Sequence, residues 1–162
     1  MFKLSRFKEG VSAWLDGGAV RPPHFRNHLQ RLILQDELPD LSVSRPSTRQ
    51  HWGVPVPGDA GQVVYVWLDA LANYLTVAGW DGGARFSRAW PPDVQVIGKD
   101  ILAFHAVYWP AFLLAADVAP LPGRIQCHSH WMVEGEKVGA SRDWFGWFGQ
   151  VGSIPLLICL LH

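Results

Sequence analysis

Three short segments of the 162-residue chain carry the side chains best suited to chemistry. They are Trp67-Leu68-Asp69-Ala70, Gly98-Lys99-Asp100 and His128-Ser129-His130-Trp131. Each lies at the carboxyl end of a predicted β-strand, and ligands of doubly wound sheets bind beyond those ends. Gly98 lets a ligand approach the backbone, Asp100 offers a carboxylate to ribose hydroxyls, and Lys99 offers a charge to a phosphate. Taken alone, the local sequence favours the plainer alternative, in which Asp100 caps a helix and Lys99 is solvated.

A second candidate group lies just after Asp100. Ile101, His105 and Trp109 are spaced four residues apart, which places them on one face of a helix. The spacing alone favours a core stripe with one hydrogen-bonded histidine. No spacing of histidines and carboxylates in the sequence resembles a metal site, and nothing resembles a nucleophile elbow or a P-loop.

The elements that would position these residues follow from the apolar pattern. Residues 3–15 and 24–38 have helical periodicity, whereas the later part alternates short strands with helices. That alternation is typical of a parallel sheet with right-handed crossovers. The predicted strands are 63–67, 94–97 and 124–133, and the predicted helices between them are 69–78 and 100–116. Pro110 removes a hydrogen bond from the last helix and is expected to kink it.

Composition narrows the class of protein. Fourteen basic and fourteen acidic residues give zero formal charge, so the whole molecule has no general attraction for nucleic acid or an anionic membrane. Two cysteines exclude a disulfide scaffold, and no apolar run is long enough to span a bilayer. Nine tryptophans indicate a chain that shapes an apolar pocket or one that exposes much apolar surface.

Several motifs in register then resemble the methionyl-tRNA synthetase family, over roughly residues 2–137. The stretch His128-Ser129-His130-Trp131 is most similar to the mitochondrial form. The other segments that carry the resemblance are Ser42-Val43-Ser44-Arg45, Trp52-Gly53-Val54-Pro55-Val56-Pro57-Gly58-Asp59, Tyr65-Val66-Trp67-Leu68-Asp69-Ala70-Leu71, Ile97-Gly98-Lys99-Asp100-Ile101 and Phe104-His105-Ala106-Val107-Tyr108-Trp109-Pro110-Ala111-Phe112-Leu113.

The resemblance implies an α/β fold, a partial Rossmann-like parallel sheet with flanking helices. It also implies a ligase that activates methionine with ATP, accompanied by Mg, to methionyl-adenylate and transfers it to tRNA(Met). The residues similar to the family's methionine pocket are Trp67, Ala70, Leu71, Tyr74, Ile101, His105 and Trp109. Those similar to its ATP site are Gly98, Lys99, Asp100, His128 and Trp131. No metal bound by the protein itself is predicted.

We predict three parts in the chain, according to where its sequence follows the family and where it departs from it. Residues 1–50 are a helical and loop segment, 51–137 are the second half of a catalytic domain, and 138–162 are a divergent tail. The chain lacks the HIGH-type motif of class I synthetases. Of the KMSKS loop it keeps Lys137, the predicted catalytic residue, whereas Ala140 stands where a second lysine is expected. The chain is therefore predicted to be a fragment with little or no aminoacylation activity of its own.

Two other functional classes fit the sequence less well. One is a non-catalytic protein that binds methionine or associates with a synthetase. The other is a free-standing nucleotide-binding enzyme. For the complete enzyme the resemblance implies methionine, ATP and tRNA(Met) as partners, no membrane, and the mitochondrial matrix as location, although the chain shows no transit peptide. Binding of tRNA by this chain alone is not expected.

Overall fold

The structure is a computed structural model that describes residues 1–35, 38–80, 83–130, 132–133 and 136–137. The chain divides into two compact units, Met1–His128 and Ser129–His162. The helices are α1 (Lys8–Asp16), α2 (Pro23–Gln35), α3 (Val66–Ala78), α4 (Ala84–Ala89) and α5 (Trp109–Ala115). The strands are β1 (Val20–Arg21), β2 (Ser44–Pro46), β3 (Pro55–Val56), β4 (Asp59–Val64), β5 (Gln95–Gly98), β6 (Ile125–His128), β7 (Met132–Val133) and β8 (Glu136–Lys137).

Two N-terminal helices form as their apolar spacing predicts. A 3₁₀ turn, Leu4–Phe7, leads into α1, whose Val11 and Leu15 are fully buried one turn apart. In α2, Leu29 and Ile33 repeat the same spacing and are also buried. Side chains four residues apart lie on one helix face, so each helix buries a narrow apolar stripe in the same core cluster. Both predicted helices are confirmed, although the second is described as helix only to Gln35.

A three-stranded parallel sheet in the order β1-β6-β5 is the framework of the first unit. The central strand β6 pairs in parallel with both neighbours, and its register places Gly98 opposite His128. In β5 the side chains of Gln95 and Ile97 are buried, whereas Val96 is 63% exposed. The alternation shows that one sheet face carries the core. The predicted α/β class with a parallel sheet is therefore confirmed.

The predicted strand at 63–67 is not part of this sheet. Its residues up to Val64 belong to β4, which pairs antiparallel with β2 and β3 in a separate small sheet. The first strand of the parallel sheet is instead Val20–Arg21, a two-residue strand that is too short for a periodic signal. The strand predicted at 124–133 is also shorter, because β6 ends at His128.

The helical segment predicted at 100–116 is present with a local change of pitch. It begins as a 3₁₀ turn, Lys99–Ile101, and passes through a π-helical turn, Phe104–Tyr108, before α5. Pro110 cannot donate a backbone hydrogen bond, and π turns occur where the regular i→i−4 ladder is interrupted. Pro110 follows directly after this widened turn, and the kink predicted from it stays a prediction.

Two apolar clusters fill the first unit. The first lies between α1, α2, the buried sheet face and the π turn, with Val11, Leu29, Ala106 and Ile125 among its buried members. The second surrounds the α3–α5 region and contains Leu71, Trp90, Trp109 and Leu113. None of the described helices is both long enough and apolar enough to cross a membrane.

The second unit contributes one described hairpin. Its strands β7 and β8 pair antiparallel, with Met132 opposite Lys137. Lys137 therefore lies at the end of a two-residue strand. The predicted tail, 138–162, and Ala140 within it lie outside the described residues.

Candidate active site

The carboxyl edge of the parallel sheet brings together four of the predicted ATP-site residues. Gly98 and His128 end adjacent strands in register, and Lys99 and Asp100 follow Gly98 in the 3₁₀ turn. A Cβ placed on Gly98 would lie 3.9 Å from Cε1 of His128, which is ordinary contact distance. This edge is where a nucleotide is expected in an α/β sheet. The fifth predicted residue, Trp131, lies outside the described residues.

The methionine-site candidates come from two helical segments that pack together. Trp67 and Tyr74 lie seven residues apart on α3, a spacing that puts both rings on the same helix face. That face meets His105 of the π turn. The ring centroids lie 6.4 Å apart for Trp67 and His105 and 5.7 Å apart for Tyr74 and His105. Trp67 thus belongs to the start of a helix and not, as predicted, to the end of a sheet strand.

Both ring nitrogens of His105 are hydrogen-bonded. Its Nδ1 lies 3.0 Å from the carbonyl oxygen of Ile101, and its Nε2 lies 2.9 Å from the hydroxyl oxygen of Tyr74. A carbonyl oxygen only accepts, so Nδ1 must carry the proton and donate it to Ile101. In the neutral ring Nε2 is then an acceptor, and the Tyr74 hydroxyl donates to it. Both hydrogens of this pair are therefore used within the protein.

Burial keeps the pair uncharged. His105 is 4% exposed, and its burial lowers the pKa of the imidazole below the ordinary value, against a smaller opposing effect of the hydrogen bond to Ile101. Burial also raises the pKa of the Tyr74 hydroxyl above its ordinary value. Neutral forms of both residues are consistent with the donor and acceptor assignment above.

Aromatic contacts close the site on the Trp67 side. Trp67 stacks on Phe104 with centroids 3.9 Å apart and planes at 16°. A cavity of about 30 Å³ lies against Trp67 and is also lined by Leu41, Tyr65, Tyr108 and Phe112 among others. This volume is sufficient to hold water. A larger open cleft of about 540 Å³ is lined by Ser5, Lys8, Leu38, Pro39 and Asp40, none of which is a predicted site residue.

Trp109 also contacts the aromatic residues of the candidate site. Its ring lies 5.9 Å from that of Tyr74 and 6.1 Å from that of Trp90. The side chain is 2% exposed, and its Nε1 is buried with no hydrogen-bond partner in the described part of the chain. Trp109 is therefore held by ring contacts.

The structure does not gather every predicted residue into this group. Ala70 is exposed on α3, whereas Leu71 is buried in the second apolar cluster. Ile101 packs against the first cluster and Trp109 belongs to the second. That Ile101, His105 and Trp109 form a single stripe stays a prediction. The π turn, Phe104–Tyr108, lies between Ile101 and Trp109 in the chain.

Two contributors were not predicted as site residues. Phe104 stacks on Trp67, and Trp90 backs Trp109. A signal for Phe104 was present, because it stands directly before His105 in a motif-bearing segment. The local sequence around Trp90 does not distinguish it from a tryptophan that packs at a turn. Within the described residues no three histidine, cysteine, aspartate or glutamate side chains cluster as metal ligands do.

Comparison with known proteins identifies the class to which this fold belongs, the class I tRNA synthetases. The family described as "tRNA synthetases class I (M)" matches residues 1–153. The chain is 54% identical to human "Methionine--tRNA ligase, mitochondrial", covering 87% of this chain and 24% of that protein. It is 45% identical to the methionine–tRNA ligase of Rickettsia bellii, covering 86% of this chain and 27% of the relative.

A solved structure gives the same result. The methionyl-tRNA synthetase of Mycobacterium tuberculosis bound by methionyl-adenylate is similar with a TM-score of 0.73 and 44% identity, covering 79% of this chain and 25% of that one. The chain belongs to the methionine-type class I tRNA synthetases, and the resemblance predicted from its motifs is confirmed. It spans about a quarter of the length of the curated relatives it matches. These relatives are methionine–tRNA ligases, which does not favour the non-catalytic alternative.

Proposed function

We propose that this chain supplies the methionine-contacting wall and the adenosine-facing edge of a methionine–tRNA ligase. In the reaction of the complete enzyme, methionine is activated with Mg-bound ATP to methionyl-adenylate and pyrophosphate, and then transferred to tRNA(Met). The proposed methionine wall comprises Trp67, Ala70, Leu71, Tyr74, Ile101, His105 and Trp109. The proposed adenosine edge comprises Gly98, Lys99, Asp100, His128 and Trp131.

The proposal rests on two hydrogen bonds, from the Tyr74 hydroxyl to His105 and from His105 to the Ile101 carbonyl. Tyr74 gives its hydrogen to His105, and His105 gives its own to the Ile101 carbonyl. The pair therefore has no free hydrogen to offer a polar side chain. A buried polar group of a ligand left without a partner costs about 1–3 kcal/mol. A thioether is only a weak acceptor and gains from contact with aromatic rings, so the group suits methionine better than a polar side chain of similar length.

The nucleotide edge is supported by its place in the sheet. Gly98 leaves the strand end without a side chain, and Asp100 follows in a turn where a carboxylate can accept ribose hydroxyls. Lys99 is exposed at the same edge and can meet a phosphate. These residues would bind and orient the adenosine side of the adenylate.

The proposal assigns a phosphate role to Lys137, as the retained lysine of the KMSKS position. A positive charge there would stabilise the negative charge that develops on the leaving pyrophosphate. Ala140 replaces a second lysine, so weak activation is expected from the 162 residues on their own. Mitochondrial names recur among the relatives, and we place the complete enzyme in the mitochondrial matrix.

A non-hydrolysable methionyl-adenylate analogue, with a sulfamate in place of the phosphate, tests the proposal. Calorimetry should show the analogue binding to the chain more tightly than adenosine, with both methionine and ATP competing. Asp100→Ala should weaken the analogue and adenosine together, while leaving methionine binding unchanged. Equal affinity for the analogue and adenosine would contradict a methionine wall next to the nucleotide edge.

A further inference from the structure

Trp90 lies behind the proposed methionine wall, and its ring contacts that of Trp109. Its ring meets Trp109 edge-on, with centroids 6.1 Å apart and planes at 89°. Its ring also stacks on Phe86 of α4, and its indole N–H donates to the carbonyl of Pro120; neither residue belongs to the proposed site. Trp90 itself is 7% exposed and is not among the residues of the proposed wall.

The two tryptophans differ in how firmly they are held. Trp90 donates from Nε1 to the Pro120 carbonyl at 3.0 Å, and its ring stacks on Phe86 with centroids 5.9 Å apart and planes at 9°. Its backbone N–H also bonds to the Phe86 carbonyl at 2.8 Å. Trp109 has a buried Nε1 with no partner among the described residues. Within the described part of the chain, a hydrogen bond therefore fixes the position of Trp90, whereas only packing fixes that of Trp109.

We infer that Trp90 is a positioning residue that sets the position of the Trp109 ring and thereby the size of the proposed methionine site. The inference rests on the proposed function. Because interiors are close-packed, a ring without a hydrogen bond stays in place only while its neighbours fill the space behind it. Removing the indole of Trp90 leaves a cavity into which Trp109 can withdraw. The site would then accept an amino acid side chain longer than that of methionine.

Selectivity between methionine and ethionine, which is one methylene longer, tests this on the full chain. In Trp90→Leu we expect the ratio of methionine to ethionine affinity to fall about tenfold. This is the order of discrimination that an apolar pocket achieves between ligands that differ by one methylene. Trp80→Leu is the matched control, because Trp80 also packs against Phe86 but is 52% exposed. It should keep the wild-type ratio. Trp90→Phe, which retains a ring to stack on Phe86, should give a smaller change of the same sign and serves if the leucine variant does not fold.

Fluorine NMR of chain labelled with fluorotryptophan separates this inference from the proposed function. The Trp109 resonance, identified by Trp109→Phe, should move or broaden in the Trp90 variants and remain in place in Trp80→Leu. If wild type binds no methionine, the proposed function fails, and the Trp109 resonance alone decides whether Trp90 holds that ring. An unchanged resonance, or an unchanged methionine to ethionine ratio in a variant that binds methionine, overturns the inference.

Discussion

The hydroxyl oxygen of Tyr74 lies 2.9 Å from Nε2 of His105, and the other nitrogen of the same ring lies 3.0 Å from the carbonyl of Ile101. The two contacts together fix the tautomer, because the carbonyl can only accept. They also fix the direction of the Tyr74 hydroxyl, which donates to the histidine. A helix, α3, and the π turn are thereby joined through two uncharged side chains.

Removal of the Tyr74 hydroxyl should destabilise the chain. Tyr74→Phe leaves Nε2 of His105 buried without a donor, which costs about 1–3 kcal/mol in the free energy of unfolding. Tyr108→Phe is the control, because Tyr108 contacts the edge of Phe104 and the structure gives its hydroxyl no hydrogen bond among the described residues. Urea denaturation of both variants measures the difference. Equal losses for the two would mean that the Tyr74–His105 bond does not stabilise the fold.

The pH dependence of stability should contain a contribution from His105. Its pKa is lowered in the folded state, whereas in the unfolded chain it returns to about 6.5. As the pH falls below about 6.5, the unfolded state takes up the proton first, so stability decreases until the pKa of the folded state is passed. His105→Asn should therefore lose less stability than wild type between about pH 7.5 and about pH 5.5. Parallel curves for wild type and variant would exclude a buried neutral His105.

Gly79 should be required at the end of α3. It adopts a left-handed conformation with φ +85°, and its N–H and that of Trp80 bond back to the last turn of the helix. A Cβ there would also lie 3.0 Å from Cδ of Arg85. Gly79→Ala should lower the free energy of unfolding by about 1–2 kcal/mol. Gly79→Asn should lower it less, since asparagine tolerates this conformation, and the reverse order in thermal melts would refute the capping role.

Cys127 should resist thiol reagents until the chain unfolds. It is 1% exposed in the central strand β6, and burial raises the pKa of its thiol to about 11. The reactive thiolate is therefore scarce near neutral pH, and access is blocked as well. A Cys159→Ser variant leaves Cys127 as the single thiol. Its labelling by an aromatic disulfide reagent should begin only at denaturant concentrations that unfold the chain, and rapid labelling of the native chain would contradict the buried placement.

Elements with a long apolar period could be predicted from sequence. The helices around Val11 and Leu29 and the strand through Ile97 are where their patterns indicate, because burial of one face dictates the spacing. The strand ending at Val64 has an equally clear pattern, yet it pairs antiparallel with β2 and β3. Pairing partners depend on contacts between distant residues, which local composition does not encode. The two-residue strand Val20–Arg21 is fixed by its partner β6.

The candidate site likewise combines residues that could be predicted from the sequence with contacts that could not. Motifs in register led to Tyr74 and His105, and the structure places them in contact. Helical spacing alone predicted Ile101 and Trp109 on one stripe; the π turn lies between them, and they pack with different apolar clusters. The support that Trp90 gives to Trp109 depends on the loop carrying Pro120, which accepts the Trp90 hydrogen bond. Such a contact between three separate segments has no signature in a single sequence.

Binding of methionine by the chain is the most direct test of a methionine wall. In calorimetric titration, wild type should bind methionine at millimolar or lower concentration and bind methionine sulfoxide far more weakly, because the Tyr74–His105 pair has no hydrogen free for the added oxygen. Trp67→Ala should abolish methionine binding, whereas the exposed control Trp52→Ala should not change it. No heat with millimolar methionine from a chain shown to be folded, or equal affinity for methionine and its sulfoxide, would contradict the assignment of this aromatic group as a methionine site.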